Sequence, residues 1–126
     1  MSLFRGLLGS LFVKDSKSIK VNDLNKAMND KNDFKGVVLD VRTPKEVESG
    51  ILSGAVVKNA FSKEIKEFVK NLDPSRDYYV YCHSGVRSLG VVKLMNNYDI
   101  KGINISGGIS AWKKAGYPIV DKGVIK

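Results

Sequence analysis

The sequence holds one cysteine and one histidine, and they are adjacent, as Cys82 and His83 in the stretch YVYCHSGVRS. The aromatic and β-branched residues before Cys82 predict a buried strand that ends at the cysteine. The small residues Ser84 and Gly85 predict a tight loop after it, because glycine tolerates positive φ and close backbone approach. Successive backbone N–H groups in such a loop converge on one point and form an anion-binding nest.

The charge around this loop decides how the thiol behaves. Arg87 adds a positive charge, and a helix predicted from Ser88 adds the positive end of its dipole. Cysteines at helix N-termini or beside cations have pKa values lowered from about 8.5 to roughly 3.5–7.5. We therefore predict that Cys82 is a nucleophilic thiolate near neutral pH, rather than an inert buried thiol. For His83 two interpretations stay open, a contact with the thiol or substrate and a side chain directed into solvent.

Apolar runs and helix signals alternate along the chain. GVVLDV, residues 36–41, predicts a strand buried on both sides. Thr43 predicts a helix cap, with Pro44 at the first helical position and Gly50 as the stop, and Asn22 predicts the cap of an earlier helix. The remaining elements are a brief strand within residues 55–60, a helix opened by Ser62, a strand at 78–82, a helix from Ser88, a strand at 103–105 and a helix carrying Trp112.

This alternation predicts an α/β fold with a parallel sheet covered by helices on both faces. The carboxyl ends of parallel strands meet at one edge, where such sheets bind ligands. We therefore expect the end of LDVR, at Arg42, to lie on the same side as the Cys82 loop.

Composition limits the classes of protein. At 126 residues, with 43% hydrophobic and 27% charged residues, the chain has room for one core. A lone cysteine forms no disulfide within the chain, and with one histidine it supplies no zinc site unaided, so we predict no metal and no cofactor. The formal charge of +8 is spread among interleaved acids, which indicates a solvated basic surface rather than a nucleic-acid interface.

The first twelve residues, MSLFRGLLGSLF, place apolar side chains on one face at helical spacing. They lack the features of a secretory signal, so we expect a cytoplasmic protein, with the periplasm as the alternative. We predict an amphipathic appendage that packs on the domain, on a second copy or weakly on a membrane surface. With the linker KDSKS it makes up residues 1–18, and the domain follows over residues 19–126.

Three segments, LDVRTPKEVESGILSGA, CHSGVRS and ISGGISAWKKAGYPI, together resemble a single-domain rhodanese, a member of the rhodanese-like sulfurtransferase family. The resemblance runs from about Ile19 to Val120. It implies a five-stranded parallel sheet, with Cys82 as the nucleophile that accepts sulfur from a small anionic donor such as thiosulfate. A cysteine persulfide would then pass its outer sulfur to cyanide, a thiol or a protein acceptor.

The resemblance also assigns roles by position. The substrate-binding loop would comprise His83, Ser84, Gly85, Val86, Arg87 and Ser88. Asp40, Arg42 and Glu46 would form polar support beside the loop, and we favour an ion-pair network that fixes the turn over direct contact with substrate. Gly107, Gly108 and Trp112 would belong to the scaffold.

Loop length separates the enzymatic alternatives. Phosphatases and arsenate reductases of this fold have five residues between cysteine and arginine, whereas four lie between Cys82 and Arg87. The shorter loop favours a sulfur atom as the group that the loop surrounds. The alternative to an enzyme is a persulfide carrier, which would serve a dedicated protein partner. The chain departs from the family pattern at Ile51, Leu52 and Val57, which places the preference for the sulfur donor in question.

Overall fold

A computed structural model describes residues 17–30 and 33–122. The predicted N-terminal appendage, residues 1–12, lies outside the described residues, as do residues 14–16 of the predicted linker. Ser18, the last residue of that linker, pairs with Asn104 at the edge of the sheet. No helix among the described residues is long and apolar enough to cross a membrane.

Five parallel strands form one sheet in the order β1-β5-β4-β2-β3. The strands are β1 (Ser18–Ile19), β2 (Val37–Asp40), β3 (Val56–Val57), β4 (Asp77–Tyr81) and β5 (Lys101–Ile105). The helices are α1 (Val21–Met28), α2 (Pro44–Val47), α3 (Ile65–Lys70), α4 (Val86–Asn97) and α5 (Gly108–Lys114). The predicted five-stranded parallel sheet is confirmed.

Alternate residues of the central strands enter two different cores. Leu39 and Val80 pack with Val69 of α3 and with α4, whereas Val38 and Tyr81 pack with α1 and α5. Because successive side chains of a strand point to opposite faces, a strand covered on both sides needs apolar residues at every position. The continuous apolar runs in the sequence follow from this arrangement, and the predicted helix layers on both faces are confirmed.

The helix starts that the sequence predicts are confirmed only in part. Thr43 caps α2 with a capping box in which its side chain accepts from the Glu46 N–H, and Pro44 occupies the first helical turn. The cap predicted at Asn22 is wrong, because α1 already begins at Val21, after Lys20. The helix predicted from Ser62 also begins later, at Ile65, since the Ser62 hydroxyl accepts from the Glu64 N–H in a preceding turn.

Candidate active site

The Cys82 loop leaves the carboxyl end of the central strand β4. Asp40 of β2 pairs with Tyr81 of β4, so the two strands end level and their following residues meet at one edge. Cys82 comes directly after β4 and not within it, which corrects the sequence expectation by one residue. Gly85, with φ of 103°, caps α4, which therefore begins at Val86 rather than Ser88.

Hydrogen-bond donors surround the Cys82 sulfur. The Gly85 N–H donates to Sγ at 3.1 Å and the Ser88 hydroxyl lies 3.4 Å from it. Burial alone raises the pKa of the thiol, but hydrogen bonds from the Ser88 hydroxyl and from the backbone N–H groups of Ser88, Gly85 and Ser84 outweigh it. The net effect lowers the pKa of Cys82 below the ordinary value of a cysteine thiol. Cys82 is 1% exposed, so the sulfur sits inside the nest of N–H groups.

A buried asparagine on β5 connects two members of this loop. The Ser88 hydroxyl donates to Asn104 Oδ1 at 2.6 Å, and Asn104 Nδ2 donates to the Gly85 carbonyl at 3.0 Å. Ser88 is fully buried and Asn104 is 7% exposed. The two polar side chains therefore satisfy each other inside the protein, next to the thiol.

The start of α5 supports the loop from the other side. The Ile109 and Ser110 N–H groups donate to the carbonyls of Cys82 and His83, each at 3.0 Å. Gly108 allows this contact, because a Cβ atom there would lie 2.5 Å from both carbonyl oxygens. These N–H groups have no partner within the helix because they lie in its first turn, and their hydrogen bonds fix the backbone that carries the thiol.

Asp40 and Arg42 form a buried ion pair beside the loop, at 0% and 2% exposure. Arg42 Nε and Nη2 donate to the Asp40 carboxylate, with Nη2 2.8 Å from Oδ2. The remaining guanidinium donors bind backbone carbonyls, Nη1 that of Glu46 at 3.1 Å and Nη2 that of Gly50 at 2.6 Å. Burial lowers the pKa of Arg42, but the contacts with Asp40 outweigh it, so the pKa is raised.

Tyr81 completes this buried group. Its hydroxyl donates to Asp40 Oδ2 at 2.6 Å and accepts from the Leu52 N–H at 3.0 Å. Burial and the Asp40 carboxylate raise the pKa of Tyr81 well above its usual range, so the phenol stays protonated. Asp40, Arg42 and Tyr81 thereby fix the ends of β2 and β4 and the chain at residues 50–52.

Glu46 and Arg87 form a second ion pair, which is half-buried. The Arg87 guanidinium donates to both carboxylate oxygens, and the Phe61 ring centre lies 5.8 Å from the guanidinium carbon. The hydrogen bonds from Arg87 lower the pKa of Glu46 to about 2, against the opposing effect of burial, and those from Thr43 add to the lowering. The positive charge that the sequence places beside the thiol is therefore balanced by a carboxylate.

The outer part of the loop faces solvent. The His83 and Ser84 side chains are exposed, and Val86 is 76% exposed. Among the described residues, the hydrogen bond that involves His83 uses its backbone carbonyl. Phe61, which lies against the Arg87 guanidinium, is 69% exposed, and Val86, which precedes Arg87 in the chain, is exposed as well. We refer to these two exposed apolar residues as the apolar rim.

Sequence reasoning missed three residues of the site, Tyr81, Asn104 and Phe61. The sequence pattern places Tyr81 in the strand core, although an aromatic hydroxyl at the last strand position calls for a buried hydrogen-bond partner. Asn104 carried a signal as well, because an amide within an apolar run such as INI needs partners when buried. Phe61 carried none that distinguishes it from other loop residues.

A model of the rhodanese-like domain matches residues 20–115, which include the strand ends, the thiol loop and α5 described above. The chain belongs to the rhodanese-like domain family. Sulfurtransferase function at the family level follows from this membership and from relatives that carry that name.

The relatives of this rhodanese-like chain are of modest identity. It is 33% identical over 85 residues to a sulfurtransferase of Allochromatium vinosum, covering 67% of this chain and 78% of that protein. It is 33% identical over 91 residues to thiosulfate sulfurtransferase 16, chloroplastic, of Arabidopsis thaliana, covering 64% of this chain and 76% of that protein. The crystal structure of a rhodanese-related protein from Thermoplasma volcanium superposes with a TM-score of 0.73 at 30% identity, covering 82% and 97% of the two chains.

Proposed function

We propose that this protein moves sulfane sulfur from a small anionic donor such as thiosulfate to a nucleophilic acceptor through a persulfide on Cys82. The observation that carries the proposal is the position of Sγ, which faces the Gly85 N–H at 3.1 Å and the Ser88 hydroxyl at 3.4 Å. These donors stabilise negative charge on sulfur, both in the thiolate that attacks and in the persulfide that results.

The proposed reaction has two displacements. The Cys82 thiolate attacks the outer sulfur of thiosulfate, a new S–S bond forms, and sulfite leaves with the electron pair of the bond that breaks. The outer persulfide sulfur is then attacked by cyanide, a thiol or a protein acceptor, and the Cys82 thiolate is regenerated. The order is ping-pong, and no oxidant, metal or cofactor enters the balance.

The roles of the neighbouring residues follow their contacts. Residues 83–85 of the loop and residues 86–88 of the first turn of α4 bind the donor, with backbone N–H groups rather than the Arg87 guanidinium nearest to the sulfur. Asp40, Arg42 and Glu46 support the loop from outside it, since all the guanidinium nitrogens of Arg42 donate to protein oxygens. These three residues act on the loop without contacting the donor.

A carrier function is the second candidate, and the exposed rim favours it. Phe61 is 69% and Val86 is 76% exposed next to the loop, which suits contact with a protein better than with a small anion. In this case Cys82 would hold persulfide for a dedicated protein acceptor and turn over thiosulfate slowly.

One experiment separates these candidates. The protein and its Cys82→Ser variant are incubated with thiosulfate, intact masses are taken, and thiocyanate is assayed after cyanide is added. We expect wild type to gain one sulfur atom and form thiocyanate, and Cys82→Ser to do neither. A mass gain without turnover supports the carrier, and no gain with no thiocyanate rejects thiosulfate as donor. Hydrolysis of an aryl phosphate would instead indicate the phosphatase chemistry that the loop length disfavours.

A further inference from the structure

The single proton of the Ser88 hydroxyl has two acceptors within reach. Asn104 Oδ1 lies 2.6 Å from the hydroxyl oxygen and Cys82 Sγ lies 3.4 Å from it. A hydroxyl donates one hydrogen bond at a time, so the sulfur and the amide compete for the same proton. The shorter distance favours Asn104 while the sulfur is neutral.

The orientation of the Asn104 carboxamide is fixed by chemistry. The Gly85 carbonyl only accepts hydrogen bonds, so the amide group 3.0 Å away from it must be the donor Nδ2. Oδ1 therefore faces Ser88. The backbone of Asn104 is held as well, because its N–H donates to the Lys17 carbonyl at 3.0 Å in the pairing of β5 with β1.

Both polar backbone atoms of Gly85 are involved in this arrangement. Its N–H donates to Cys82 Sγ, and its carbonyl accepts from Asn104 Nδ2. Asn104 thus acts on the thiol by two routes. Nδ2 binds the carbonyl of Gly85, whose N–H faces the sulfur. Oδ1 accepts the Ser88 hydroxyl proton, which would otherwise stabilise the negative charge of the thiolate.

We propose that Asn104 is a positioning residue for Cys82. Asn104 holds the Gly85 end of the loop and competes with the Cys82 sulfur for the Ser88 proton. When Cys82 is a thiol, Ser88 donates to Asn104. When Cys82 loses its proton to solvent, the Ser88 hydroxyl rotates and donates to the thiolate. No proton moves along the chain of residues, and the hydroxyl only changes its acceptor.

The ionisable groups on the surrounding elements are the same in wild type and in the Asn104→Asp variant, apart from the carboxylate that the substitution itself introduces. They are Arg87 on α4, His83 in the loop, Tyr81 and Asp40 at the ends of β4 and β2, Arg42 after β2 and Glu46 on α2. The carboxyl end of β5 and the first turn of α5 contribute none. The direct effect of the new carboxylate on Cys82 is present with or without Ser88, so a difference between the wild-type and Ser88→Ala backgrounds reports on the competition for the Ser88 proton.

The test is the rate of Cys82 alkylation by iodoacetamide as a function of pH, which needs no sulfur donor and is independent of the proposed transfer reaction. Asn104→Asp keeps the oxygen that faces Ser88, makes it a stronger acceptor and removes the donor to Gly85. We expect the midpoint of alkylation to rise by about one pH unit or more. In the Ser88→Ala background the same substitution should raise it by less than half as much, because the contested proton is absent.

Asn71→Asp is the matched control, since it makes the same charge change at the exposed residue that follows the end of α3. It should leave the midpoint unchanged. Equal shifts from Asn104→Asp in the wild-type and Ser88→Ala backgrounds would overturn the proposal, as would no shift in either.

A measurement on the unmodified protein covers the case in which Asn104→Asp does not fold. The side-chain NH2 resonances of Asn104 are followed by NMR as the pH rises through the alkylation midpoint. We expect them to change with the same midpoint, because Oδ1 loses its hydrogen bond from Ser88 when the thiolate forms. Resonances that stay flat across this range would contradict the competition.

Discussion

The Arg87 guanidinium and the Glu46 carboxylate meet in a two-pronged ion pair, with Nη1 2.8 Å from Oε1 and Nη2 2.7 Å from Oε2. Oε1 of the same carboxylate also lies 3.0 Å from both the Thr43 N–H and the Thr43 hydroxyl. One side chain therefore closes the cap of α2 and holds the first turn of α4. This relationship fixes the thiol loop to the end of β2 without any covalent link.

Glu46→Gln tests the contribution of this pair to stability. The pKa of Glu46 is lowered to about 2 from 4.5, so its contribution to folding is complete above pH 4.5 and is lost as the pH falls towards 2. We expect the substitution to lower the free energy of unfolding at pH 7 by about 1 kcal/mol, because the pair is partly exposed and solvent screens it. Urea unfolding monitored by circular dichroism measures this difference.

The same comparison at low pH provides the control. Wild type and Glu46→Gln should approach each other in stability between pH 4.5 and about 2, as the wild-type carboxylate takes up its proton. A difference that stays constant over this range would show that Glu46 acts through packing rather than through its charge. Glu48→Gln, on an exposed neighbour, should show no such convergence.

Tyr81→Phe tests the buried group around Asp40. The substitution keeps the ring but leaves the Leu52 N–H and one Asp40 oxygen without the hydroxyl that lies 3.0 and 2.6 Å from them. We expect a loss of about 1–3 kcal/mol in the free energy of unfolding, the range for a buried donor left unpaired. Tyr98→Phe, at 37% exposure, is the matched control and should change little. Equal effects of the two substitutions would contradict a structural role for the Tyr81 hydroxyl.

Gly108→Ala tests the support that α5 gives to the loop. A Cβ atom there would lie 2.5 Å from the carbonyl oxygens of Cys82 and His83, and φ is +60°. We expect the loop to be displaced, with both lower stability and slower alkylation of Cys82. Gly116→Ala has a similar φ of +84° with open space around the Cβ position, so it should lose only about 1 kcal/mol of stability. Its alkylation rate should match that of wild type.

The features of the fold that depend on residues close together along the chain could be predicted from the sequence. The apolar run of β2, the Thr43 cap with Pro44 and the alternation of elements each report local backbone preferences. They suffice to place the ends of β2 and β4 on the same side of a parallel sheet, whereas the position of Asp40 beside the Cys82 loop was expected from the family resemblance.

Contacts between distant residues could not be read in the same way. Glu46 and Arg87 are 41 positions apart, and their pairing depends on the order of strands in the sheet. Asn104 reaches Ser88 only because β5 lies beside β4 in parallel register. Burial of each polar group is predictable in principle, whereas the identity of its partner depends on the three-dimensional arrangement.

His83→Ala tests whether the histidine beside the thiol takes part in the chemistry. Its side chain is exposed, and its backbone carbonyl, which the substitution retains, accepts from the Ser110 N–H at 3.0 Å. General acid–base catalysis by a side chain contributes about 100-fold or more, so removing a catalytic histidine would lower kcat/KM by at least that factor. We expect instead a change within about twofold from pH 6 to 9, typical of a surface substitution. The measurement is thiocyanate formation from thiosulfate and cyanide, together with the alkylation rate of Cys82. A loss of 100-fold or more in kcat/KM, or a comparable fall in the alkylation rate, would show that the imidazole acts on the thiol, and the nest of N–H groups would then be insufficient by itself.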